Sequence, residues 1–338
     1  MDLQKVKRVI ISRTDSIGDV VLTLPIAGYL KKLSPDIEIV FLGRSYTRPI
    51  AGQCSHIDRF IDWQEIGSKP LKEQVDLFKK IQADAILHVF PRPAISMLAK
   101  KAGIPLRIGT TNRLYHWGNC NKLIRLSRKN SPYHEAQLNL MLLKPFGLKE
   151  ILSLDEIPKY YGLENIEPPG RELSELIDPE KFNLILHPKS KGSAREWGEE
   201  RFNELIGILP ENFKIFITGS REEGEMIRKS ILEKHDHIND LSGKMTLKKL
   251  IGFIDLADGL VAASTGPLHI ASALGKRALG IYPPIRPMHP GRWAPIGKKA
   301  TYLVVNKSCE KCRKSMDCEC IREITADQVK NKLMEESA

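Results

Sequence analysis

Asp15 and Asp19 stand four residues apart in the run Val9-Ile10-Ile11-Ser12-Arg13-Thr14-Asp15-Ser16-Ile17-Gly18-Asp19-Val20-Val21-Leu22-Thr23-Leu24-Pro25. A carboxylate within hydrogen-bond reach of a hydroxyl can take its proton as that oxygen attacks. The sequence around them says where they sit. Val9-Ile10-Ile11 is a short apolar run rich in β-branched residues, as a buried parallel strand requires. Ile17, Val20, Val21 and Leu24 then repeat at helical spacing. A strand entering a helix puts the turn at the carboxyl edge of a sheet, where open α/β proteins bind their ligands. A plainer reading of Ser16-Ile17-Gly18-Asp19 is a capping box that does no more than start the helix.

Three further turns have residues suited to anions. Ala263-Ser264-Thr265-Gly266-Pro267-Leu268-His269 joins a strand to a helix with proline near its first position. Free backbone N–H groups and the helix dipole make such an end attractive to phosphate. Gly266 permits close approach, Thr265 supplies a hydroxyl and His269 a ring nitrogen. His187-Pro188-Lys189-Ser190-Lys191-Gly192-Ser193-Ala194-Arg195-Glu196-Trp197 is a second strand-to-helix loop, with Lys189, Lys191 and Arg195 able to neutralise a diphosphate. Thr218-Gly219-Ser220-Arg221-Glu222-Glu223 puts carboxylates where ribose hydroxyls can be held. Each has a bland counterpart: a capped helix, a solvated basic loop, an acid placed well for the dipole.

These turns need a scaffold of alternating strands and helices. After the opening unit, strands are expected at 37–43, 57–63, 85–90 and 106–109, with helices at 71–82, 94–102 and 136–143. A second alternating run places strands at 182–187, 214–218, 259–263, 278–282 and 302–305. Its helices fall at 197–209, 222–233, 247–256, 268–274 and 326–334, the last capped by Thr325. The Pro- and Gly-rich stretch 154–179 separates the runs. The expected fold is α/β, with two domains of mainly parallel sheet facing a central cleft. The domains span 1–160 and 181–322, joined by a linker at 161–180 and followed by a closing helix in 323–338.

At 338 residues, with 42% hydrophobic and 28% charged residues, the chain reads as an ordinary globular protein of two domains. No segment approaches a membrane span, and the N-terminus has no signal-peptide apolar region, so a cytoplasmic location is expected. The net charge of +11 favours an anionic partner. From residue 85 to residue 134 there is no acidic residue at all, while Arg92, Lys100, Lys101, Arg107, Arg113, Lys122, Arg125, Arg128 and Lys129 fall inside. The patterns of dinucleotide binding, Walker A loops, zincins and serine hydrolases are missing. Of the six cysteines, Cys54 and Cys120 stand alone as core thiols, and Cys309, Cys312, Cys318 and Cys320 crowd together. In a cytosolic protein such crowding suits structural zinc better than disulfides, although the Cys318-x-Cys320 spacing is not that of a standard knuckle.

In order along the chain, Arg13 to Pro25, His187 to Trp197, Leu241-Ser242-Gly243-Lys244-Met245-Thr246-Leu247 and Ser264 to Gly275 resemble glycosyltransferase family 9, the ADP-heptose:lipopolysaccharide heptosyltransferases. The cysteine-containing tail through Thr325 recurs in part of that family. The resemblance implies a GT-B fold of two Rossmann-like domains, with the acceptor bound by the first and the donor by the second. It implies inverting, metal-independent transfer of a heptose or related sugar from a nucleoside diphosphate, ADP-heptose foremost, to an acidic lipid-linked saccharide of the lipopolysaccharide core, at the face of the inner membrane. Carried over by position, Asp19 is the general base and Asp15 a supporting turn residue. Lys189, Ser190, Arg195, Thr265, Gly266 and His269 lie at donor phosphate positions, beside Ser264. Glu223, or less directly Glu222, holds the ribose, and Met245 touches the base. Ser16, Arg107, Arg113 and Arg125 are expected at the acceptor. No catalytic metal or other cofactor is called for. One departure stands out: Ser264 occupies a position where the family usually has aspartate, which removes an anchor beside the donor sugar. Two other readings compete, a basic nucleic-acid-binding protein and a GT-B sugar-nucleotide epimerase; the leading expectation involves no nucleic acid.

Overall fold

The computed structural model describes residues 6–128, 131–164, 166–286, 288–307, 309 and 317–335. The chain divides into two compact units, 1–165 and 166–338.

The first unit is built on six strands: β1 (Arg8–Ser12), β2 (Glu38–Gly43), β3 (Arg59–Asp62), β4 (Ala85–His88), β5 (Leu106–Thr110) and β6 (Lys122–Ile124). They pair in the order β3-β2-β1-β4-β5-β6, all parallel. β1 is central, with Ile10 opposite Val40 on one side and Ile86 on the other. Val9, Ile10 and Ile11 are fully buried because helices cover both faces of the sheet, which is why the strand is continuously apolar. On one face, Ile10, Val40, Leu42 and Ile86 pack with Phe78 and Ile81 from helix Leu71–Ile81 and with Ile95 and Leu98 from helix Pro93–Lys101.

The second unit repeats that plan. β7 (Phe182–His187), β8 (Phe213–Ile217), β9 (Asn239–Asp240), β10 (Gly259–Ala263), β11 (Arg277–Tyr282) and β12 (Thr301–Val304) lie in the order β12-β11-β10-β7-β8-β9. Read from its first strand, each sheet has the order 3-2-1-4-5-6, so strand order reverses between β1 and β4 and again between β7 and β10.

Several elements depart from the sequence expectation for physical reasons. The first helix is two pieces, Ile17–Val21 and Leu24–Leu33. Pro25 has no N–H for the Val21 carbonyl, and Thr23 Oγ1 donates to Asp19 O at 2.8 Å across the break. The helix expected from Trp197 begins at Glu199, because Gly198 adopts φ +105° and turns Trp197 into the core. The helix expected over 222–233 runs only Arg221–Ile227. Strand β6 and helix Leu114–Asn119 carry too few residues to show a period, and neither was expected. The Pro-rich stretch splits between the units: Ser55 N–H donates to Gly162 O at 2.8 Å, whereas Lys248 Nζ meets Glu167 Oε2 at 2.5 Å.

The closing helix Ala326–Met334 is capped as expected, Thr325 and Gln328 each accepting from the other's backbone N–H. It completes the second core. Trp197, fully buried, donates its indole N–H to Ile324 O at 2.8 Å, and Val329 and Leu333 pack with Phe202 and Leu205. Among the described residues no helix is long and apolar enough to cross a membrane.

Candidate active site

In the first unit the chain leaves β1 at its carboxyl end, beside the strand-order reversal, and Arg13 turns inward. Its guanidinium donates from Nε to Asp15 Oδ1 at 2.6 Å and from Nη2 to Asp19 Oδ1, and Nη1 stands 3.4 Å from Glu135 Oε1. Glu135 is buried at the start of helix Glu135–Leu140, where Arg128 Nε donates to the same oxygen at 2.9 Å. Arg128 also donates to Asn139 Oδ1 at 3.1 Å, and Asn139 Nδ2 donates to Leu22 O at 3.1 Å. Two guanidiniums thus face three carboxylates in one connected network that ends on the helix carrying Asp19.

Burial disfavours the charge on Arg13, but Asp19, Asp15 and Glu135 together outweigh it and raise its pKa above the usual guanidinium value. Asp15 is pushed up to about 6, chiefly by burial, with the Asp19 charge adding and Arg13 opposing. Arg92 fixes the turn from outside, Nε donating to Thr14 Oγ1 at 2.6 Å.

Ser16 is exposed at the N-cap position, but its hydroxyl does not cap the helix; it donates to Asp19 Oδ2. The capping-box reading of Ser16–Asp19 therefore fails, because the nearby carboxylate is the stronger acceptor for that hydroxyl. Behind the site, His88 at the end of β4 lies in a buried pair with His116, ring centroids 5.4 Å apart, and burial holds it near a pKa of about 3, hence neutral.

Of the three arginines expected at the acceptor, Arg113 and Arg125 are exposed. Arg107 donates from Nε to Asn119 O at 2.7 Å and from Nη1 to Ile104 O at 2.5 Å, so its guanidinium braces the chain around β5.

In the second unit three loops emerge at the carboxyl edge of the sheet. After β7, Lys191 and Gly192 take positive φ (+48° and +75°) and fold the loop back on itself. Lys189 Nζ meets Glu196 Oε2 at 2.7 Å and Glu199 Oε1 at 3.4 Å; burial opposes its charge, and the two glutamates raise its pKa on balance. Ser190 is buried, with N–H and hydroxyl both within 3.0 Å of Glu196 Oε1, and Arg195 is buried nearby in sequence. Glu196 belongs to the loop motif but was given no role from the sequence; its place six residues after Ser190, closing a basic loop, was the available signal.

After β8, Glu223 and Ser220 form a reciprocal capping box, Ser220 N–H donating to Glu223 Oε2 at 2.7 Å. Glu222 beside it is exposed. Gly243 N–H donates to Gly219 O at 2.9 Å, which brings the turn carrying Met245 to the end of β8. A Cβ on Gly243, at φ +70°, would meet the Arg221 backbone at 2.9 Å.

After β10, helix Gly266–Ala273 begins with Pro267 in its first turn. Thr265 holds the N-cap position in extended conformation, yet its hydroxyl makes no capping bond and Oγ1 is buried without a hydrogen-bond partner among the described residues. His269 is buried one turn in, and Ser264 is half-buried at the strand end. The loops after β7 and β10 flank the strand-order reversal. Helix N–H groups, a vacant hydroxyl and a buried arginine can together receive an anion.

Cys318 and Cys320 face the core of this unit, and Cys309 packs against it; Cys312 lies outside the described residues. Among the described residues no three His, Cys, Asp or Glu side chains gather as a metal site. Cys54 and Cys120 are buried, and burial pushes both thiols up to about 12.

A family model described as glycosyltransferase family 9 (heptosyltransferase) matches residues 79–321. A provisionally described glycosyltransferase of Haemophilus influenzae is 29% identical over 308 residues, 86% of each chain. Among solved structures, a family 9 glycosyl transferase from Veillonella parvula superposes with a TM-score of 0.79 at 20% identity, covering 98% of this chain and 97% of that one. The E. coli ADP-heptose lipopolysaccharide heptosyltransferase II does so with 0.75 at 17% identity, covering 97% of each. The fold is thus that of the heptosyltransferase structures.

Proposed function

The chain belongs to glycosyltransferase family 9, the heptosyltransferases, and is a glycosyltransferase; from this we propose that it moves a heptose or closely related sugar from a nucleoside-diphosphate donor, ADP-heptose foremost, to a saccharide of the lipopolysaccharide core. The observation that carries the donor half is the buried, unpartnered Thr265 hydroxyl at the N-terminus of helix Gly266–Ala273. A buried hydroxyl without a partner costs about 1–3 kcal/mol, a cost that a diphosphate oxygen removes. Arg195 and His269 supply further donors for the phosphates, Lys189 and Ser190 join them when a phosphate displaces Glu196 from both, and Glu223 and Met245 receive the nucleoside.

In the proposed reaction an acceptor hydroxyl loses its proton to Asp19 as its oxygen bonds to the anomeric carbon. The bond from that carbon to the diphosphate breaks, and the electron pair leaves with the phosphate. Attack opposite the leaving group inverts the anomeric centre. The helix N-terminus and the cations of the second unit stabilise the developing charge, so this scheme needs no metal. In this reading Ser16 and the exposed Arg113 and Arg125 receive an acidic, lipid-linked acceptor, and an enzyme acting on such an acceptor works from the cytoplasm, peripheral to the inner membrane. Serine at position 264, where the family resemblance expects aspartate, leaves the donor sugar as the least constrained element.

A thermal-shift series with ADP, UDP, GDP and ADP-heptose tests the donor, since a ligand of the folded state raises the melting temperature by mass action. Incubation with ADP-heptose and a heptose-free lipopolysaccharide core, with and without chelator, tests the transfer. No stabilisation by any of the diphosphates, or release of a free epimerised sugar without acceptor, would overturn the reading.

A further inference from the structure

Leu114 and Trp117 project from the first unit at its β6 edge, the leucine 89% exposed and the tryptophan 63%. They lie three residues apart in helix Leu114–Asn119 and share one face. Water is the wrong solvent for both, and no element of the first unit covers them among the described residues. The tryptophan is held in place, because its indole N–H donates to Thr111 O at 3.0 Å.

The surroundings are cationic. Thr111 N–H donates to Ile124 O at 3.1 Å, so Arg125 emerges beside the turn that anchors the tryptophan, and Arg113 directly precedes the helix. Lys100 Nζ reaches Gly118 O at 2.7 Å, which brings the end of helix Pro93–Lys101 to the same place. Lys100, Lys101, Arg113, Lys122 and Arg125 are all exposed, and none makes an ion pair among the described residues. The acid-free interval from residue 85 to residue 134 explains why: its sequence contains no carboxylate to neutralise them.

We propose that this face docks on an anionic lipid bilayer, with Leu114 and Trp117 entering the headgroup boundary and the five cations lying against lipid phosphates. An exposed apolar pair within a basic rim is what an interfacial anchor requires: Trp suits the headgroup level, the leucine side chain the acyl boundary, and basic groups the negative leaflet. Nucleic acid accounts for the cations but not for a nearly fully exposed leucine, which has nothing to offer a phosphodiester. The docking surface gives the transfer reading its lipid-bound acceptor, and its test needs neither donor nor acceptor.

The full chain is sedimented with vesicles of phosphatidylcholine alone and with vesicles of phosphatidylcholine and phosphatidylglycerol in equal parts. Binding is expected to the anionic vesicles only, to weaken with salt, and to shift tryptophan emission to the blue. Leu114→Gln with Trp117→Gln is expected to cut partitioning about tenfold or more and to abolish the emission shift. Leu114→Gln alone, at a side chain with almost no contacts to lose, guards against misfolding and should weaken binding several-fold. Lys100→Gln with Lys101→Gln should reduce the preference for anionic lipid. Equal binding to both vesicle types, or full binding by the double Leu114/Trp117 variant, overturns the proposal. So does tighter binding to a DNA or RNA duplex that Leu114→Gln leaves unchanged. The ADP thermal shift, read on the same variants, should be unaffected, so failure of docking and failure of the transfer reading are separable.

Discussion

The Arg13 guanidinium lies against the Asp19 carboxylate with only 3% of its own side chain exposed, whereas Asp19 keeps 17% open to solvent. The cation is inside and the acid at the surface, so one acid oxygen is fixed by the core while the other, held by Ser16, faces outward. A side chain on a five-residue helix would otherwise sample several rotamers. The buried pair converts it into an aimed group, which is what proton abstraction from a bound hydroxyl needs.

Asp19→Asn keeps the shape and removes the proton acceptor. Transfer from ADP-heptose should fall about a thousandfold, since a positioned base contributes roughly 10²–10⁴, while the ADP thermal shift stays at the wild-type value. A variant that retains a tenth or more of the wild-type turnover would remove Asp19 from the reaction.

Glu135→Gln takes away the buried charge on which both Arg13 and Arg128 close. Breaking a buried ion pair from one side costs about 3 kcal/mol, and urea unfolding should register that loss. Glu65→Gln, which touches only an exposed pair 3.9 Å long, should change stability by about 0.5 kcal/mol or less.

Asp15 makes part of the stability pH-dependent. Its carboxyl is raised to about 6 in the folded protein, from about 4 in an unfolded chain. A carboxyl that binds its proton more tightly when folded favours the fold below the unfolded value, and that contribution is lost as pH rises through about 6. Relative to Asp15→Asn, the wild type should therefore lose about 2 kcal/mol between pH 4 and pH 7, after allowance for its partial exposure. Denaturant midpoints of both proteins across that range decide the matter; a constant gap means that Asp15 is not perturbed.

Thr265→Val replaces a buried, unpartnered hydroxyl by a methyl group of the same shape. The ligand-free protein should gain about 1 kcal/mol or hold level, yet ADP should bind about tenfold more weakly. Calorimetric melting and ADP titration on one preparation separate the two effects, and unchanged ADP affinity would count against a diphosphate at this helix end.

Arg107→Gln and the pair Arg113→Gln with Arg125→Gln should behave differently although all three lie in the same basic interval. Arg107 holds two backbone carbonyls, so its loss should lower stability by about 1–2 kcal/mol. The exposed pair should leave melting unchanged and raise the acceptor KM. Equal acceptor kinetics in the double variant would exclude those two arginines from acceptor binding.

What could be read in advance followed from chemistry that is local in sequence. Buried parallel strands such as Val9-Ile10-Ile11 and Gly259–Ala263 announce themselves by unbroken apolar runs, and the turns after them carry the polar groups. The ordered motifs were enough to suggest the family. Partnerships made by the fold were not legible. Glu135 meets Arg13 across 122 positions, and no spacing rule links them. Arg107 was expected at the acceptor with Arg113 and Arg125, and its two backbone carbonyl partners could not be read from the sequence. Glu196 passed as the end of a motif, although it neutralises Lys189 and occupies Ser190. Thr265 was expected at the donor phosphates, with a plain helix cap as the alternative, and only the geometry shows that its hydroxyl makes no capping bond. Strand β6 was missed because three residues cannot establish a period.

The bond from the Trp197 indole to Ile324 O sets a timetable for synthesis. A large buried donor waits 127 residues for its acceptor, and Leu333, almost at the end of the chain, fills the same core. The first unit holds all its own strands by residue 124 and can fold while the ribosome is still translating. The second must carry an unfinished apolar core until helix Ala326–Met334 emerges, so a stop codon between β12 and that helix releases a protein whose first unit is native and whose second is exposed to chaperones and proteases.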